Sequence, residues 1–174
     1  MGEGATRLAV FLEPTCPFSA KAFAKLGPLL SAAGSDRLTI AIQIQSQPWH
    51  TFSPVVSRSI LAASLTAGGK DAALSVMEKV FAHREEFVLA DHSHGPNMAL
   101  SPADILARIE ELGGVALAEA FALPEATDLM KAHARYSRRR GVHGSPSFMV
   151  DGEMREDMGS GDTVEKWLAD LRLA

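Results

Sequence analysis

The N-terminal part of the chain alternates between strand-like and helix-like hydrophobic patterns. Residues 8–12 are apolar at every position, which is typical of a central strand covered on both faces. Residues 38–44 alternate instead, with the period of a strand that has one better-buried face. Between them, from Pro17 onward, apolar side chains recur at helical spacing and predict an amphipathic helix that bends at Gly27-Pro28. This order of strand, helix and strand predicts a parallel pair with a helix on the face of the sheet.

The middle of the chain contains several helix starts and no good strand. Ser53-Pro54 and Ser101-Pro102 each combine an N-cap residue with a proline at the first helical position. Asp104 gives the second of these starts the spacing of a capping box. Further helical patterns complete this section, with a break at Pro124. We therefore predict that residues 51–140 form an all-helical insertion.

The last part of the chain returns to strand patterns. Residues 147–150 are a short strand candidate, and Asp151-Gly152 is a strong signal for a two-residue hairpin turn. Residues 163–173 then place apolar side chains at helical spacing and predict a closing helix. No repeat, low-complexity tract or linker interrupts the sequence, so we predict one α/β domain over residues 1–174.

Composition and charge exclude several classes of partner. The chain is 47% hydrophobic and 22% charged, which is ordinary for a globular protein. Its net charge of −4 provides no basic surface for nucleic acid or for an anionic membrane. No apolar stretch approaches the ~20 residues of a membrane span, and the N-terminus lacks the pattern of a secretory leader. We therefore expect a cytoplasmic protein with no nucleic-acid or membrane partner.

The candidate chemistry centres on the only cysteine, Cys16, which can form no internal disulfide. It lies between the first strand and the first helix, with Pro17 as the first helical residue and Ser19 as the third. Unbonded N–H groups of the first helical turn and the helix dipole stabilise negative charge on a sulfur placed there. The Ser19 hydroxyl can supply one more hydrogen bond. We therefore predict that Cys16 is a reactive nucleophile assisted by Ser19, rather than a buried structural cysteine.

A second segment, Gly-Ser-Pro-Ser-Phe at residues 144–148, directly precedes the predicted hairpin. Together with Cys-Pro-Phe-Ser at residues 16–19 and the order of elements, it resembles the thioredoxin fold in its DsbA-like form, with inserted helices. The resemblance covers essentially the whole chain. It implies that Pro146 is cis and faces Cys16, and that the backbone of Ser145 binds an extended substrate that carries a thiol.

The sequence also departs from the family pattern at one position. Such oxidoreductases usually carry Cys-x-x-Cys, whereas the second position here is Ser19. A mixed disulfide at Cys16 therefore needs an external thiol for its release, with glutathione as the candidate co-substrate. We predict a monothiol thiol–disulfide oxidoreductase with Cys16, Ser19 and Pro146 as catalytic residues, and no bound cofactor. Its substrates would be thiols or disulfides of proteins or of glutathione.

Two other interpretations stay open at this point. The first is a redox-inactive binding module that keeps the groove of the thioredoxin fold. The second is a glutathione-dependent transferase or isomerase of the kappa type, which is similar in its inserted helices but generally has serine at the key position. The sequence also leaves the oligomeric state open, with a homodimer as one option.

The remaining candidate residues are given weaker roles. We predict that Pro17, Phe18, Ser145 and His50 contact substrate, His50 because it follows the second strand near the Cys16 end of the sheet. Stabilisation of the thiolate and an ordinary loop histidine are the other interpretations of His50. His92 and His94 alternate in a Gly-Pro loop with no nearby cysteine, so we expect no metal site. The three arginines at residues 138–140 are favourably placed at the C-terminus of a helix, and an anion site for glutathione carboxylates is the second interpretation.

Overall fold

A computed structural model describes residues 1–174, with four strands and eight α-helices. In chain order they are β1 (Thr6–Leu12), α1 (Pro17–Phe23), α2 (Leu26–Ala33), β2 (Leu38–Ile44), α3 (Ser53–Ala63), α4 (Gly69–Ala82), α5 (Pro102–Gly113), α6 (Ala118–Ala122), α7 (Pro124–Arg139), β3 (Ser147–Val150), β4 (Glu153–Met154) and α8 (Val164–Asp170). Two short 3-10 helices, Arg84–Phe87 and Pro96–Ala99, lie between α4 and α5. This α/β order is the one that the resemblance implies.

The chain divides into two compact units that interleave along the sequence. The first unit comprises Met1–Leu12, Phe18–Gln43 and Ser137–Ala174. The second comprises Glu13–Pro17 and Ile44–Tyr136, so it starts before the predicted helical insertion and also includes the segment that holds Cys16. The prediction of a single domain stays a prediction.

The first unit contains a four-stranded sheet in the order β2-β1-β3-β4. Strand β1 pairs antiparallel with β3, with Leu8 opposite Val150 and Val10 opposite Phe148. Every residue of β1 from Leu8 to Leu12 is buried, as its uninterrupted apolar run predicts for a central strand. The strand therefore ends inside the protein, directly before the segment that contains the cysteine.

The hairpin between β3 and β4 forms at the predicted turn. Val150 pairs with Glu153, which leaves Asp151 and Gly152 as the two turn residues. Both have positive φ angles, 50° and 93°, as the favoured two-residue hairpin turns require. The Asp151 carboxylate also accepts a hydrogen bond of 2.8 Å from the backbone N–H of Arg7, so the turn is fastened to the start of β1.

The first helical stretch is broken earlier than predicted. The sequence predicted a bend at Gly27-Pro28, but α1 ends at Phe23 and α2 begins at Leu26. Pro28 consequently lies in the first turn of α2, where an amide proton would have no partner within the helix and its absence is tolerated. Proline thus marks the start of a new helix here instead of a kink within one.

The closing helix α8 is anchored by Trp167, which is fully buried. Its ring lies 5.1 Å from the ring of Phe148 on β3, and its indole N–H donates to the carbonyl of Gly159 at 3.2 Å. The Lys25 ammonium lies 5.2 Å from the centre of the same ring and donates to the carbonyl of Ser160 at 2.6 Å. Burial of an aromatic side chain of this size stabilises the first unit by several kcal/mol, on the order of the cost of truncating it.

The second unit is built from helices. Helices α3, α4 and α5 pack against one another, and α6 packs on α3. Apart from an isolated bridge between Ala90 and His94, no β-pairing occurs between residues 51 and 140. Pro124 begins α7, which confirms the predicted break at that residue. No helix in the structure has both the length and the apolar character needed to cross a membrane.

The two predicted helix caps have different outcomes. The Ser101 hydroxyl accepts from the Asp104 N–H at 3.2 Å and the Asp104 carboxylate accepts from the Ser101 N–H at 2.8 Å, which confirms the capping box. The predicted cap at Ser53 is wrong, because α3 begins at Ser53 itself. The Ser53 hydroxyl instead accepts from the backbone N–H of Gln47 at 3.1 Å, so it holds the loop that follows β2.

The capping box predicts a measurable loss of stability in a Ser101→Ala variant. The substitution leaves the Asp104 N–H without its side-chain acceptor, which should lower the free energy of unfolding by about 1 kcal/mol. Ser101→Asn keeps an acceptor at the cap and should lose much less. Urea unfolding monitored by circular dichroism checks this, and equal stability of the two variants would contradict it.

Candidate active site

Cys16 lies in a tight turn between β1 and α1. Its backbone N–H donates to the carbonyl of Glu13 at 3.1 Å, and Pro17 begins the helix that follows. The cysteine retains 8% exposure, whereas Pro17 is exposed and Phe18 is 62% exposed. The predicted nucleophile is therefore almost enclosed, and the two residues that follow it are accessible to another molecule.

Ser19 and the proline segment were the other predicted catalytic elements. Ser19 is fully buried in the first turn of α1. The peptide bond between Ser145 and Pro146 is cis, which is the isomer that the resemblance implies, and both residues are partly exposed before β3 begins. Contact of Ser19 with the sulfur, and the approach of Pro146 to Cys16, stay predictions.

A buried polar cluster that the sequence did not reveal precedes the cysteine. We call Glu13, Thr15 and His50 the Glu13–His50 cluster. Glu13 and Thr15 are fully buried, and the side chain of His50 is 9% exposed. His50 Nδ1 lies 3.0 Å from Glu13 Oε2 and 2.5 Å from Thr15 Oγ1. All three residues belong to the second unit, as Cys16 does.

Thr15 contacts this carboxylate through both its hydroxyl and its backbone N–H. Its hydroxyl lies 2.9 Å from both oxygens of Glu13, and its backbone N–H donates to Oε1 at 3.1 Å. Its carbonyl accepts from the Arg84 guanidinium at 3.2 Å. The residue next to Cys16 is thus held on both its amide and its carbonyl side, which fixes the backbone that presents the sulfur.

The surroundings of His50 decide its charge. Burial lowers the pKa of His50, while the neighbouring carboxylate of Glu13 acts in the opposite direction. The ring of His92 stacks on His50, with 4.8 Å between ring centres. His92 and Arg84 both disfavour a positive charge on His50. The net lowering keeps the imidazole neutral at pH 7.

The structure therefore assigns His50 a more specific place than the sequence did. Sequence reasoning put it near the Cys16 end of the sheet, and its ring in fact reaches the side chain of Thr15, 35 residues away. Glu13 was not singled out, although a charged residue that directly follows a fully apolar strand is an available signal. The contact of His50 with substrate stays a prediction.

The remaining candidates lie apart from this cluster. Arg138, Arg139 and Arg140 are exposed at the end of α7, where cations oppose the negative end of the helix dipole. The anion site considered for them stays a prediction. His92 and His94 do not join a larger set, since no group of three or more His, Cys, Asp or Glu side chains is arranged to hold a metal ion.

Several solved structures are similar to this chain over nearly its whole length. The chain is similar to a candidate protein-disulfide isomerase from Pseudomonas syringae, with 53% sequence identity and a TM-score of 0.96, over 98% of this chain and 95% of that one. It is also similar in fold to the oxidoreductase DsbA from Xylella fastidiosa, with 19% identity and a TM-score of 0.67, over 98% of this chain and 85% of that one.

A third similar structure is a candidate protein disulfide isomerase from Nitrosomonas europaea. Its identity is 13% and its TM-score 0.69, over 98% of this chain and 97% of that one. No protein-family model matches the sequence, and no curated protein is a significant match. The second and third structures, at 19% and 13% identity, are informative about the fold alone.

A second, partly buried histidine, His133 on α7, has a pKa that is shifted in the same direction as that of His50. Its Nδ1 accepts the backbone N–H of Ile44 at 2.9 Å, which requires an unprotonated nitrogen. Burial lowers the pKa of His133. Both histidines therefore stay neutral in the folded protein at pH values where an exposed histidine is already charged.

The lowered pKa values of His50 and His133 predict that stability falls when the pH drops below about 6.5. In the unfolded chain both side chains take up a proton near that pH, so the unfolded state binds more protons than the folded state. The free energy of unfolding should decrease by up to about 1.4 kcal/mol per pH unit for each histidine. Urea titrations at a series of pH values measure this slope.

His133→Asn is the matched variant for this measurement. The asparagine oxygen can replace Nδ1 as the acceptor for the Ile44 N–H, but it takes up no proton. The decline in stability between about pH 6.5 and pH 5 should be shallower in the variant. An unchanged slope would mean that His133 titrates alike in both states.

Proposed function

The chain belongs to the DsbA-like thioredoxin-fold family, and on that basis we propose that it is a thiol–disulfide oxidoreductase that acts through a single nucleophilic cysteine, Cys16. The observation that carries the proposal is the position of the only sulfur nucleophile. Cys16 lies at the junction of a buried strand and a helix that begins with proline, and 8% of it is exposed. The similar protein from Pseudomonas syringae, which is described as a candidate protein-disulfide isomerase, supports the same class of reaction.

The proposed reaction has two exchange steps. In the first, the Cys16 thiolate attacks a substrate disulfide, a new S–S bond forms at Cys16, and the substrate sulfur leaves as a thiolate that takes up a proton. In the second, an external thiolate attacks the mixed disulfide and Cys16 leaves as a thiolate. The external thiol ends in a disulfide with the group that Cys16 had carried, so a glutathionylated substrate and one glutathione give the free substrate thiol and glutathione disulfide.

Ser19 is the reason for proposing an external thiol. An oxidoreductase with a second cysteine three residues after the first resolves its mixed disulfide internally, and a serine hydroxyl has no redox chemistry to replace it. We propose glutathione as the resolving thiol and a glutathionylated peptide or protein as the substrate. The exposed Pro17 and Phe18 and the partly exposed Ser145 would contact that substrate.

The need for a reduced external thiol also bears on the compartment. Reduced glutathione is kept abundant in the cytoplasm and a monothiol mechanism depends on it, so we propose the cytoplasm as the site of action. Cell fractionation with a marker for each compartment checks this, and recovery outside the cytoplasm would contradict it.

Loss of the thiol at residue 16 should abolish the reaction. Incubated with a glutathionylated peptide, the protein should gain one glutathionyl group, seen by mass spectrometry, and then lose it on addition of glutathione. Cys16→Ser should do neither. A relocated thiol, Cys16→Ser combined with Ser93→Cys in an exposed loop, should react at least about tenfold more slowly, because residue 93 lacks the helix start and the substrate contacts proposed for Cys16. Equal rates for the two positions would contradict the proposal.

Restoring a second cysteine should change how the intermediate is released. Ser19→Cys is nearly isosteric, and a thiol there should attack the mixed disulfide at Cys16, so that a disulfide forms within the protein. The glutathionylated form should then fail to accumulate, and the oxidised protein should be lighter by two hydrogen atoms. Ser19→Ala serves as the control that lacks both hydroxyl and thiol. Persistence of the adduct in Ser19→Cys would show that residue 19 does not reach the sulfur of Cys16.

A further inference from the structure

The two exchange steps do not explain how the resolving thiol loses its proton. An alkyl thiol such as that of glutathione is only a few per cent ionised at pH 7, while the thiolate is the species that attacks. An oxidoreductase with two cysteines resolves its intermediate with its own second thiol. This chain must draw a protonated thiol from solution, so a nearby base would accelerate that step.

The Glu13–His50 cluster has the form of an oriented base. His50 Nδ1 is within hydrogen-bond distance of Glu13 Oε2 and Thr15 Oγ1, at 3.0 and 2.5 Å. The Thr15 hydroxyl has one proton and lies 2.9 Å from each carboxylate oxygen, so it donates to Glu13. We assign the imidazole proton to Nδ1, since that arrangement gives the carboxylate donors on both sides and leaves the lone pair on Nε2.

Nε2 is the part of this ring that can reach a substrate. The hydrogen bonds and the ion pair of His50 all use Nδ1. No buried side-chain nitrogen or oxygen in the structure lacks a partner, so Nε2 is not an enclosed, unsatisfied atom and belongs to the small exposed part of a side chain that is 9% exposed. Because Nδ1 contacts the side chain of Thr15, the ring of His50 lies against the residue that precedes Cys16 in the same compact unit.

We propose that His50 is the general base of the resolving step, and that Glu13 and Thr15 are positioning residues that hold its ring. The inference rests on the proposed function above. As the sulfur of glutathione attacks the glutathionyl sulfur bound to Cys16, its proton passes to His50 Nε2, glutathione disulfide forms, and Cys16 leaves as the thiolate. In the next cycle the imidazolium gives that proton to the substrate thiolate, so a glutathionylated thiol and glutathione become a thiol and glutathione disulfide.

The charges that face His50 agree with this role. Glu13 stabilises the imidazolium once it forms, whereas burial, the stacked ring of His92 and the Arg84 guanidinium disfavour it. Their balance lowers the pKa of His50, so the ring is neutral and able to accept a proton at pH 7. The carboxylate thus orients the ring without keeping it permanently charged.

The test compares two resolving thiols that differ in whether they carry a proton. Protein glutathionylated at Cys16 is separated from excess reagent and treated at pH 7 with an excess of glutathione or of 4-mercaptophenylacetate, an aromatic thiol that is already largely ionised at that pH. His50→Asn keeps an amide donor for Glu13 and Thr15 but has no base. It should release the adduct about tenfold more slowly with glutathione, and within about twofold of the unmodified sequence with the aromatic thiol.

His83→Asn is the matched control, since His83 is an exposed histidine paired with Glu86 outside the cluster. It should behave as the unmodified sequence with both thiols. An equal slowing of His50→Asn with both thiols would mean that His50 has only a structural role, and no slowing would mean that it has none. Either result overturns the base assignment while the formation of the Cys16 adduct upholds the proposed function. Failure of the unmodified sequence to form or release the adduct would overturn both.

A measurement on the unmodified sequence keeps the inference testable if His50→Asn does not fold. Without a base, release by glutathione follows the thiolate fraction and rises about tenfold per pH unit between pH 6.5 and pH 8. With neutral His50 as the base, the rate should be nearly independent of pH over that range. A tenfold rise per unit would overturn the assignment.

Discussion

A buried carboxylate has to be satisfied within the protein, and in this structure that constraint shapes the segment around the cysteine. Removing an ionised carboxylate from water costs several kcal/mol unless donors inside the protein replace the lost hydration. Glu13 is fully buried, and its donors are the amide and hydroxyl of Thr15 and the ring of His50. Satisfying Glu13 therefore orders Thr15, the residue that precedes Cys16, and brings the ring of His50 against Thr15.

The elements that could be predicted from the sequence are those decided by local pattern. The buried run of β1, the turn at Asp151-Gly152 and the capping box at Ser101 each depend on residues within a few positions of one another, and each formed as expected. The mistaken details arose where two local solutions compete. Proline fits the first turn of a helix, as Pro28 does in α2, as readily as it bends a helix. The Ser53 hydroxyl accepts from the backbone N–H of Gln47 instead of capping its own helix.

The candidate site divides in the same way. The position of Cys16 between strand and helix follows from the apolar run before it and the proline after it, which are local signals. The Glu13–His50 cluster joins positions more than 30 residues apart. Neither a single glutamate nor a single histidine carries a sequence signal that identifies its partner. Sequence reasoning thus identified the sulfur, and the structure was needed to find the Glu13–His50 cluster next to it in the chain.

The assignment of residues to the two units has a consequence for how the surroundings of Cys16 can change during evolution. The five residues that end at Pro17 group with the helical unit, although they leave directly from a strand of the other one, and Arg84 fastens Thr15 from within the helices. Substitutions among the inserted helices can therefore change the backbone next to Cys16, while the strands that specify the architecture need not change. Reactivity and architecture can evolve on separate parts of the same polypeptide, which would allow one scaffold to host thiols of very different character.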